Sequence, residues 1–452
     1  MNAMLVDFSQ FSDRQIPRYT SYPTAAQFVA EVDGSTYAEW LSALPADAPL
    51  SIYLHVPFCA ELCLYCGCHT TVVRKYSPVA AYADLLEREI ALVDRHLGDR
   101  RRVVHVHWGG GTPTMLLPRD FTRLTDALRR TFSVATDCEV AIEIDPRTLT
   151  RAAVVALKDG GVTRASLGVQ EFEVQVQKAV GRVQSFEQTA RAVDCLRSAG
   201  IANINLDLMY GLPYQTVETA AATARRSLAL DPDRIALFGY AHVPWMKRHQ
   251  KLLPEAALPG ALERLAQSRA AAAVLKQAGL QPIGLDHFAK PNDLLARRQR
   301  EKRLHRNFQG YTTDKATVLI GVGTSAIGTM PQGYVQNASS TVAYRNSIQS
   351  ARLATVRGRA LTEEDRLRRD IIEQLMCNLE VDLAGTAAAW NRNLNDFATE
   401  LSEIDALAER GFVHRRDGTI TVADDSRPLV RTICAVFDAY LSDQETRHSR
   451  AV

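Results

Sequence analysis

The chain lacks long apolar runs and carries almost no net charge. Nowhere in its 452 residues does an uninterrupted apolar stretch approach the roughly 18 residues of a membrane-spanning helix. Its 53 Lys and Arg against 51 Asp and Glu leave a formal charge of +2, so no global field draws it to nucleic acid or to an anionic bilayer. The opening Met1-Asn-Ala-Met-Leu-Val-Asp7 has no basic segment followed by an apolar one, the mark of a secretory leader. There is no low-complexity tract and no long-period repeat. Cysteine is scarce: of eight residues, Cys138, Cys195, Cys377 and Cys434 are scattered and expected as small core hydrophobes. A disulfide framework belongs to small secreted chains, and a chain of this length with no leader pattern is not expected to be one. These absences lead to the expectation of a soluble cytoplasmic protein, with neither nucleic acid nor membrane as partner.

The other four cysteines fall within ten residues, in His55-Val-Pro-Phe-Cys-Ala-Glu-Leu-Cys-Leu-Tyr-Cys-Gly-Cys68. Cys59, Cys63 and Cys66 are spaced C-x3-C-x2-C. Three thiolates can hold three irons of a [4Fe–4S] cubane and leave the fourth open to a ligand, because a cubane normally takes one cysteine per iron. Two other readings stand beside this one. Structural zinc usually draws four ligands from two separated pairs, and positions i, i+4 and i+7 also describe the buried stripe of an ordinary helix. Pro57 and Gly67 favour a loop, and Cys68 falls off that stripe. An oxygen-sensitive cluster would again point to a reducing compartment.

From Ser51 to Tyr240, short apolar or alternating runs are each followed by a longer helical pattern, the sign of repeated βα units around a parallel sheet. Strands are predicted at Ser51–His55, Val103–Trp108, Glu139–Ile144, Ala165–Gln170, Asn203–Leu208 and Arg234–Tyr240. Apolar residues at three- and four-residue steps predict helices over Ser77–Leu97 and Ser185–Ser198, and an Ala- and Leu-rich stretch predicts another over Thr216–Leu230. Six such units make an α/β fold, a partial (βα)6 TIM-like barrel rather than the full eight. Chemistry in such sheets collects at the carboxyl ends of the strands. The cysteine loop, Gly109-Gly-Gly-Thr-Pro113, Glu143, Gln170, Asp207 and Tyr240-Ala-His242 all fall there.

From Leu361 the character changes. A charged amphipathic helix over Leu361–Leu379, opened by a Thr-Glu-Glu-Asp cap, precedes helices near Asn393–Arg410 and Ser426–Leu441 and an Asp417-Gly418 hairpin. The expected division is an N-terminal arm (1–48), a barrel with its substrate-covering segments (49–355) and a small, mainly helical, winged-helix-like C-terminal domain (356–452).

Taken together, Cys59–Cys68, Trp108-Gly-Gly-Gly-Thr-Pro-Thr114, Glu143-Ile-Asp-Pro146, Leu167-Gly-Val-Gln170, Asp207-Leu-Met-Tyr-Gly-Leu-Pro213 and His305–Thr313 resemble the oxygen-independent coproporphyrinogen III oxidases, radical S-adenosylmethionine (SAM) enzymes of haem synthesis. The likeness runs from Pro17-Arg-Tyr-Thr-Ser-Tyr-Pro-Thr24 to the C-terminal helix. The cysteine run alone says only radical SAM; the Pro17–Thr24 arm and the His305–Thr313 segment single out this branch. The resemblance implies a radical SAM barrel and a [4Fe–4S] cluster on Cys59, Cys63 and Cys66. SAM would chelate the open iron, and one electron would cleave it to a 5′-deoxyadenosyl radical. Two propionates of coproporphyrinogen III would each lose a β-hydrogen, CO2 and an electron to become vinyl groups, giving protoporphyrinogen IX. The cofactor carries the hard chemistry, and the protein binds, orients and excludes water.

The same resemblance assigns residues. Gly109–Thr112, with Gly110 at its centre, and Glu143 meet the SAM on the cluster, and Tyr53 and Ile327 line it. Tyr65, Gly111, Thr112, Gln170, Arg182, Asp207 and Ala241 match a second SAM site. Each also has a plainer reading: tight turn, strand end, core residue or ordinary ion pair. Cys68, a fourth thiol where three suffice, is the expected catalytic residue, a redox or proton-handling group near the substrate or else a packing residue. Four propionates call for cations, for which Arg18, Lys290, His287, His305 and Arg306 are candidates. Gly321-Val-Gly-Thr-Ser325 lacks the third glycine of a dinucleotide fingerprint and does not open the first βα unit. A reduced flavodoxin or ferredoxin is the expected electron donor, and the chain is expected to be a monomer. The competing readings are a haem-binding chaperone of the same superfamily and a radical SAM enzyme on another substrate. A nucleic-acid role for the C-terminal domain is weakest, because its helices are not strongly basic.

Overall fold

The computed structural model describes residues 15–314 and 316–441; Met1 to Asp7 and the outer ends of the expected arm and C-terminal domain lie outside them. The six predicted strands form as β1 (Leu50–Val56), β2 (Arg102–Gly110), β3 (Ser133–Ile144), β4 (Arg164–Gln170), β5 (Asn203–Tyr210) and β6 (Arg234–Gly239). They pair in chain order, all parallel. The helices that follow them are α1 (Ser77–Leu97), α2 (Pro118–Thr131), α3 (Arg151–Asp159), α4 (Phe186–Ser198), α5 (Val217–Leu228) and α6 (Ala261–Gln277). Their starts are written in the sequence: Ser185 with Gln188 and Thr216 with Thr219 form reciprocal capping boxes, each satisfying two otherwise orphaned N–H groups.

The sheet is wider than the expected six strands. Beyond β6, β7 (Gln281–Ile283) and β8 (His287–Ala289) add antiparallel in the order β6-β8-β7. On the other side β9 (Val318–Val322) pairs parallel to β1, followed antiparallel by β10 (Ile327–Met330), β11 (Gly333–Asn337) and β12 (Thr355–Ala360). Thus the glycine stretch at 321–325 begins inside a fully buried seventh parallel strand. No helical period follows β9, so the βα rhythm gave no sign of it.

Alternation divides the strands between two environments. Val106, Trp108, Ile142, Leu167, Leu206 and their neighbours face the helices and form the main apolar core. The intervening residues His105, His107, Arg164, Ser166, Asn205 and Arg234 line a small polar space inside the barrel. The hairpin of His305–Asn307 with Gly310–Thr312 contributes Asn307, Gln309, Tyr311 and Thr312 to that wall.

The C-terminal region has its own core around the helix Glu363–Asn378, capped by Thr362 and Asp365 as expected. A three-stranded sheet, Glu380–Asp382, Thr419–Val422 and Val413–Arg416, supplies the wing. The helix expected over Ser426–Leu441 shrinks to Val430–Ala435 after a 3-10 turn at Asp424–Leu429. Pro428 inside that turn has no N–H to donate. Ile16, Tyr19 and Tyr22 of the arm are buried in this C-terminal core, whereas the helix Gly34–Ser42 buries Tyr37 and Leu41 in the barrel core. Among the described residues no helix is long and apolar enough to cross a membrane.

Candidate active site

A cavity of about 940 Å³ opens over the carboxyl ends of β1 to β6 and reaches the C-terminal region. Cys59, Cys63, Cys66 and Cys68 line it together with Gly110, Gly111, Thr112, Glu143, Gln170, Arg182, Asp207 and Ala241. Thirteen of the fifteen site residues expected from sequence therefore meet in one space, Tyr65 included. Tyr53 and Ile327 stand outside its wall. The Tyr53 hydroxyl shares a hydrogen bond with His55 Nδ1 (2.9 Å), and Ile327 packs among Phe28, Tyr334 and Phe308.

The cysteine loop is clamped from three sides. The Thr112 hydroxyl donates to Cys59 Sγ at 3.6 Å. Arg182 Nη1 and Arg147 Nη2 donate to Cys63 Sγ at 3.6 and 3.7 Å. Past β6, Lys247 Nζ donates to Cys68 O (2.8 Å), His249 Nε2 bonds Cys66 O (2.8 Å) and the buried Gln250 donates to Tyr65 O (3.0 Å). The surroundings favour the thiolate at Cys66. A hydrogen bond from Cys68, against the cost of burial, brings Cys66 down to about 6, with Lys247 and His249 helping. Cys68 is correspondingly raised, as the proton-holding partner of Cys66. Burial raises Cys59 to about 11. Among the described residues no group of three or more His, Cys, Asp or Glu is placed to hold a single metal ion; a cubane takes its thiolates one per iron.

Beside the loop, the glycines let β2 end against other backbone and side chains. A Cβ on Gly111 would lie 2.7 Å from Phe58 O and 3.0 Å from Cys59 Sγ, and one on Gly110, at φ +114°, would lie 2.7 Å from the His55 ring. Gly110 N donates to Glu143 Oε2 (3.1 Å) while His107 Nε2 bonds Oε1 (3.2 Å). Despite burial, the His107 hydrogen bond leads the contacts that keep Glu143 below the ordinary carboxylate range. An ionised carboxylate is thus fixed at the rim of the cysteine loop.

Further round the wall, Arg182 is buried, donating to Gly168 O (2.7 Å) and Gln184 Oε1 (3.0 Å) and pairing with Asp145 (3.3 Å). Gln170 ends β4 at φ +69°, and its buried Oε1 has no hydrogen-bond partner. Backbone strain and an orphaned acceptor are both features that ligand sites show. Asp207 accepts from Asn205 (2.8 Å) and Ser166 (3.0 Å); burial, with Glu143 nearby, raises it to about 6.

The radical SAM superfamily profile matches residues 53–226, the segment that carries the cysteine loop, Gly110–Thr112, Glu143, Gln170, Arg182 and Asp207. The oxygen-independent coproporphyrinogen III oxidase of Bradyrhizobium diazoefficiens is 52% identical over 442 residues, covering 98% of each chain. The chain belongs to the oxygen-independent coproporphyrinogen III oxidase family. The Salmonella typhimurium oxidase is 41% identical over 429 residues, covering 94% of this chain and 93% of its own. The solved structure of coproporphyrinogen III oxidase from Escherichia coli, described as a radical SAM enzyme, superposes with a TM-score of 0.89 at 39% identity, covering 95% of this chain and all of the other. Radical SAM membership implies a [4Fe–4S] cluster and SAM, and the thiols, the orphaned acceptor and the glycine cradle fit both.

Of the cations expected for an oxidase of this family, Arg18 and Arg306 line the cavity. Lys290 instead pairs with Asp231 (2.8 Å) and Asp233 (3.3 Å), His287 with Asp286 (2.7 Å), and His305 with Glu373 (3.1 Å). Sequence reasoning gave no role to Asp145, inside the quoted Glu143–Pro146 motif, and missed Arg147 beside it. It also missed the Lys247–Gln250 clamp and the cavity-lining Arg264, Arg427 and Arg431. These last carry no local signal, since only folding brings them near the cysteine loop or the cavity.

Proposed function

We propose that the chain oxidatively decarboxylates two propionates of coproporphyrinogen III to vinyl groups, giving protoporphyrinogen IX in oxygen-independent haem biosynthesis. The observation that carries this reading is the convergence of cluster-type thiols, the carboxylates of Glu143 and Asp207 and several arginines on one cavity, in a chain whose full-length relatives are named for this activity. Cys59, Cys63 and Cys66 would hold the cluster, leaving one iron for SAM. When bound, the two supply the one-electron chemistry that generates a hydrogen-abstracting radical. Every other task falls to the chain.

Glu143, held by His107 and Gly110, would accept from the SAM ammonium or ribose, an ionised hydrogen bond of the stronger kind. Gly110 and Thr112 would lie along the methionine portion, with Tyr53 and Ile327 supporting this SAM from just outside the wall. Gln170, Arg182 and Asp207, with Tyr65, Gly111, Thr112 and Ala241, would hold a second SAM. Arg182 supplies a guanidinium for its carboxylate, and Gln170 an unspent acceptor. Each propionate loses one β-hydrogen atom, CO2 and one electron. Cys68, already the proton-holding neighbour of Cys66, is the group we assign to proton or redox handling beside the substrate. A cytoplasmic monomer served by a reduced flavodoxin or ferredoxin, divided into arm (1–48), barrel (49–355) and C-terminal domain (356–452), completes the reading.

The test is anaerobic turnover by the reconstituted, reduced protein with SAM and coproporphyrinogen III, followed by mass spectrometry. Stepwise loss of two carboxyl groups, each with 5′-deoxyadenosine and absent in Cys63→Ala, is expected. SAM cleavage with intact porphyrinogen would move the chain to another substrate or to a carrier role.

A further inference from the structure

Three guanidinium groups from distant parts of the chain meet at one corner of the cavity. Arg18 lies in the N-terminal arm, Arg306 in the hairpin of His305–Thr312 and Arg431 in the helix Val430–Ala435, and all three line the same space. Arg18 Nη2 donates to Gly239 O at the end of β6 (3.3 Å), and Arg431 Nη1 donates to Ile16 O (3.3 Å). Arg306 stacks over the Tyr311 ring, 4.4 Å from its centroid, yet its buried Nε and Nη1 have no hydrogen-bond partner.

Among the described residues, Asp286 is a carboxylate that faces all three, and its Oδ1 is already engaged by His287 Nδ1 at 2.7 Å. The guanidiniums also repel one another: burial first, then Arg18, lowers Arg431 to about 10. Arg431 is buried, Arg306 half-buried and Arg18 exposed at the cavity wall, and like charges held around a partly spent counter-ion repel one another unless an anion joins them. We propose that Arg18, Arg306 and Arg431 form one carboxylate subsite, and that it grips a propionate the enzyme keeps rather than one it removes. This rests on the coproporphyrinogen reading above.

The second half follows from charge. A reacting propionate leaves as neutral CO2, so cations that bind its carboxylate stabilise the ground state more than the transition state and slow the step. A retained propionate keeps its charge from substrate through monovinyl intermediate to product. Gripping it registers the macrocycle for both decarboxylations at no cost to either. Because each arginine comes from a different segment, the subsite is complete only when arm and C-terminal domain both pack on the barrel.

The experiment uses the full-length, cluster-loaded protein with SAM, titrated by fluorescence with coproporphyrin III, which has all four propionates, and with protoporphyrin IX, which has only the retained pair. Arg306→Gln and Arg431→Gln should each weaken both porphyrins by a similar factor, about tenfold or more for a lost charge-assisted contact, with SAM affinity unchanged. Arg306→Lys should fall between. Should the variants fail to fold, the unaltered chain should still bind protoporphyrin IX at least about tenfold more tightly than its dimethyl ester. Unchanged affinities, or equal binding of acid and ester, would overturn the subsite. Weakening confined to coproporphyrin III would overturn the retained-propionate assignment. Absence of porphyrinogen turnover by the unaltered chain would instead remove the substrate reading itself.

Discussion

Gly110 illustrates how little room single residues leave at this site. Its φ of +114° is one that L side chains rarely adopt, and the His55 ring would sit 2.7 Å from an added Cβ. Gly110→Ala should therefore cost about 1–3 kcal/mol of stability and disturb the N–H that Glu143 accepts; thermal unfolding under anaerobic conditions checks the first, and an unchanged midpoint would refute it. Glu143 is the sharper case, because His107 and Gly110 hold it ionised and aimed. Glu143→Gln keeps the shape and removes the charge. SAM affinity of the cluster-loaded protein should fall about tenfold or more, read by calorimetry, with the cluster spectrum retained. Equal affinities would show that the carboxylate serves only to hold β2.

Between elements, the informative contact is a buried carboxyl. Glu89 on α1 accepts from Gly323 N just past β9, Asn337 Nδ2 on β11 and the Tyr344 hydroxyl, each at 2.6 Å. It ties the first barrel helix to the antiparallel extension of the sheet. Burial outweighs these donors and raises Glu89 to about 7. A carboxyl whose folded pKa lies above its unfolded value binds its proton more tightly when folded. Its contribution is therefore whole below about pH 4.5 and is lost as pH rises through about 7, up to roughly 3 kcal/mol. Chemical denaturation at about pH 5 and pH 7.5 should show this loss in the unaltered chain and not in Glu89→Gln. The change in slope is the readout, since glutamine also mismatches one of the three donors. An identical pH slope in both proteins would exclude Glu89 as the source.

At the scale of the whole molecule the arm is a clasp. Ile16, Tyr19 and Tyr22 are buried in the C-terminal core, the Tyr22 hydroxyl accepts from Ala439 N (2.9 Å), and Arg18 between them reaches β6. Tyr22→Ala should cost about 3–5 kcal/mol and weaken porphyrin binding while leaving SAM affinity intact; porphyrin binding unchanged in a destabilised protein would detach the arm from the substrate. The same geometry marks where sequence reading ends. Local patterns sufficed for the cysteine loop, the six βα units and the helix caps, because hydrophobic period, capping boxes and ligand spacing act over a few residues. Those patterns also marked the carboxylates at strand ends, where the fold class itself says chemistry collects. The seventh parallel strand, the Lys247–Gln250 clamp, the diversion of Lys290 and His305 to carboxylate partners, and the meeting of Arg18, Arg306 and Arg431 had no such signal. Each depends on segments far apart in the chain being brought within a few ångströms, and the partner of such a charge is chosen by that packing.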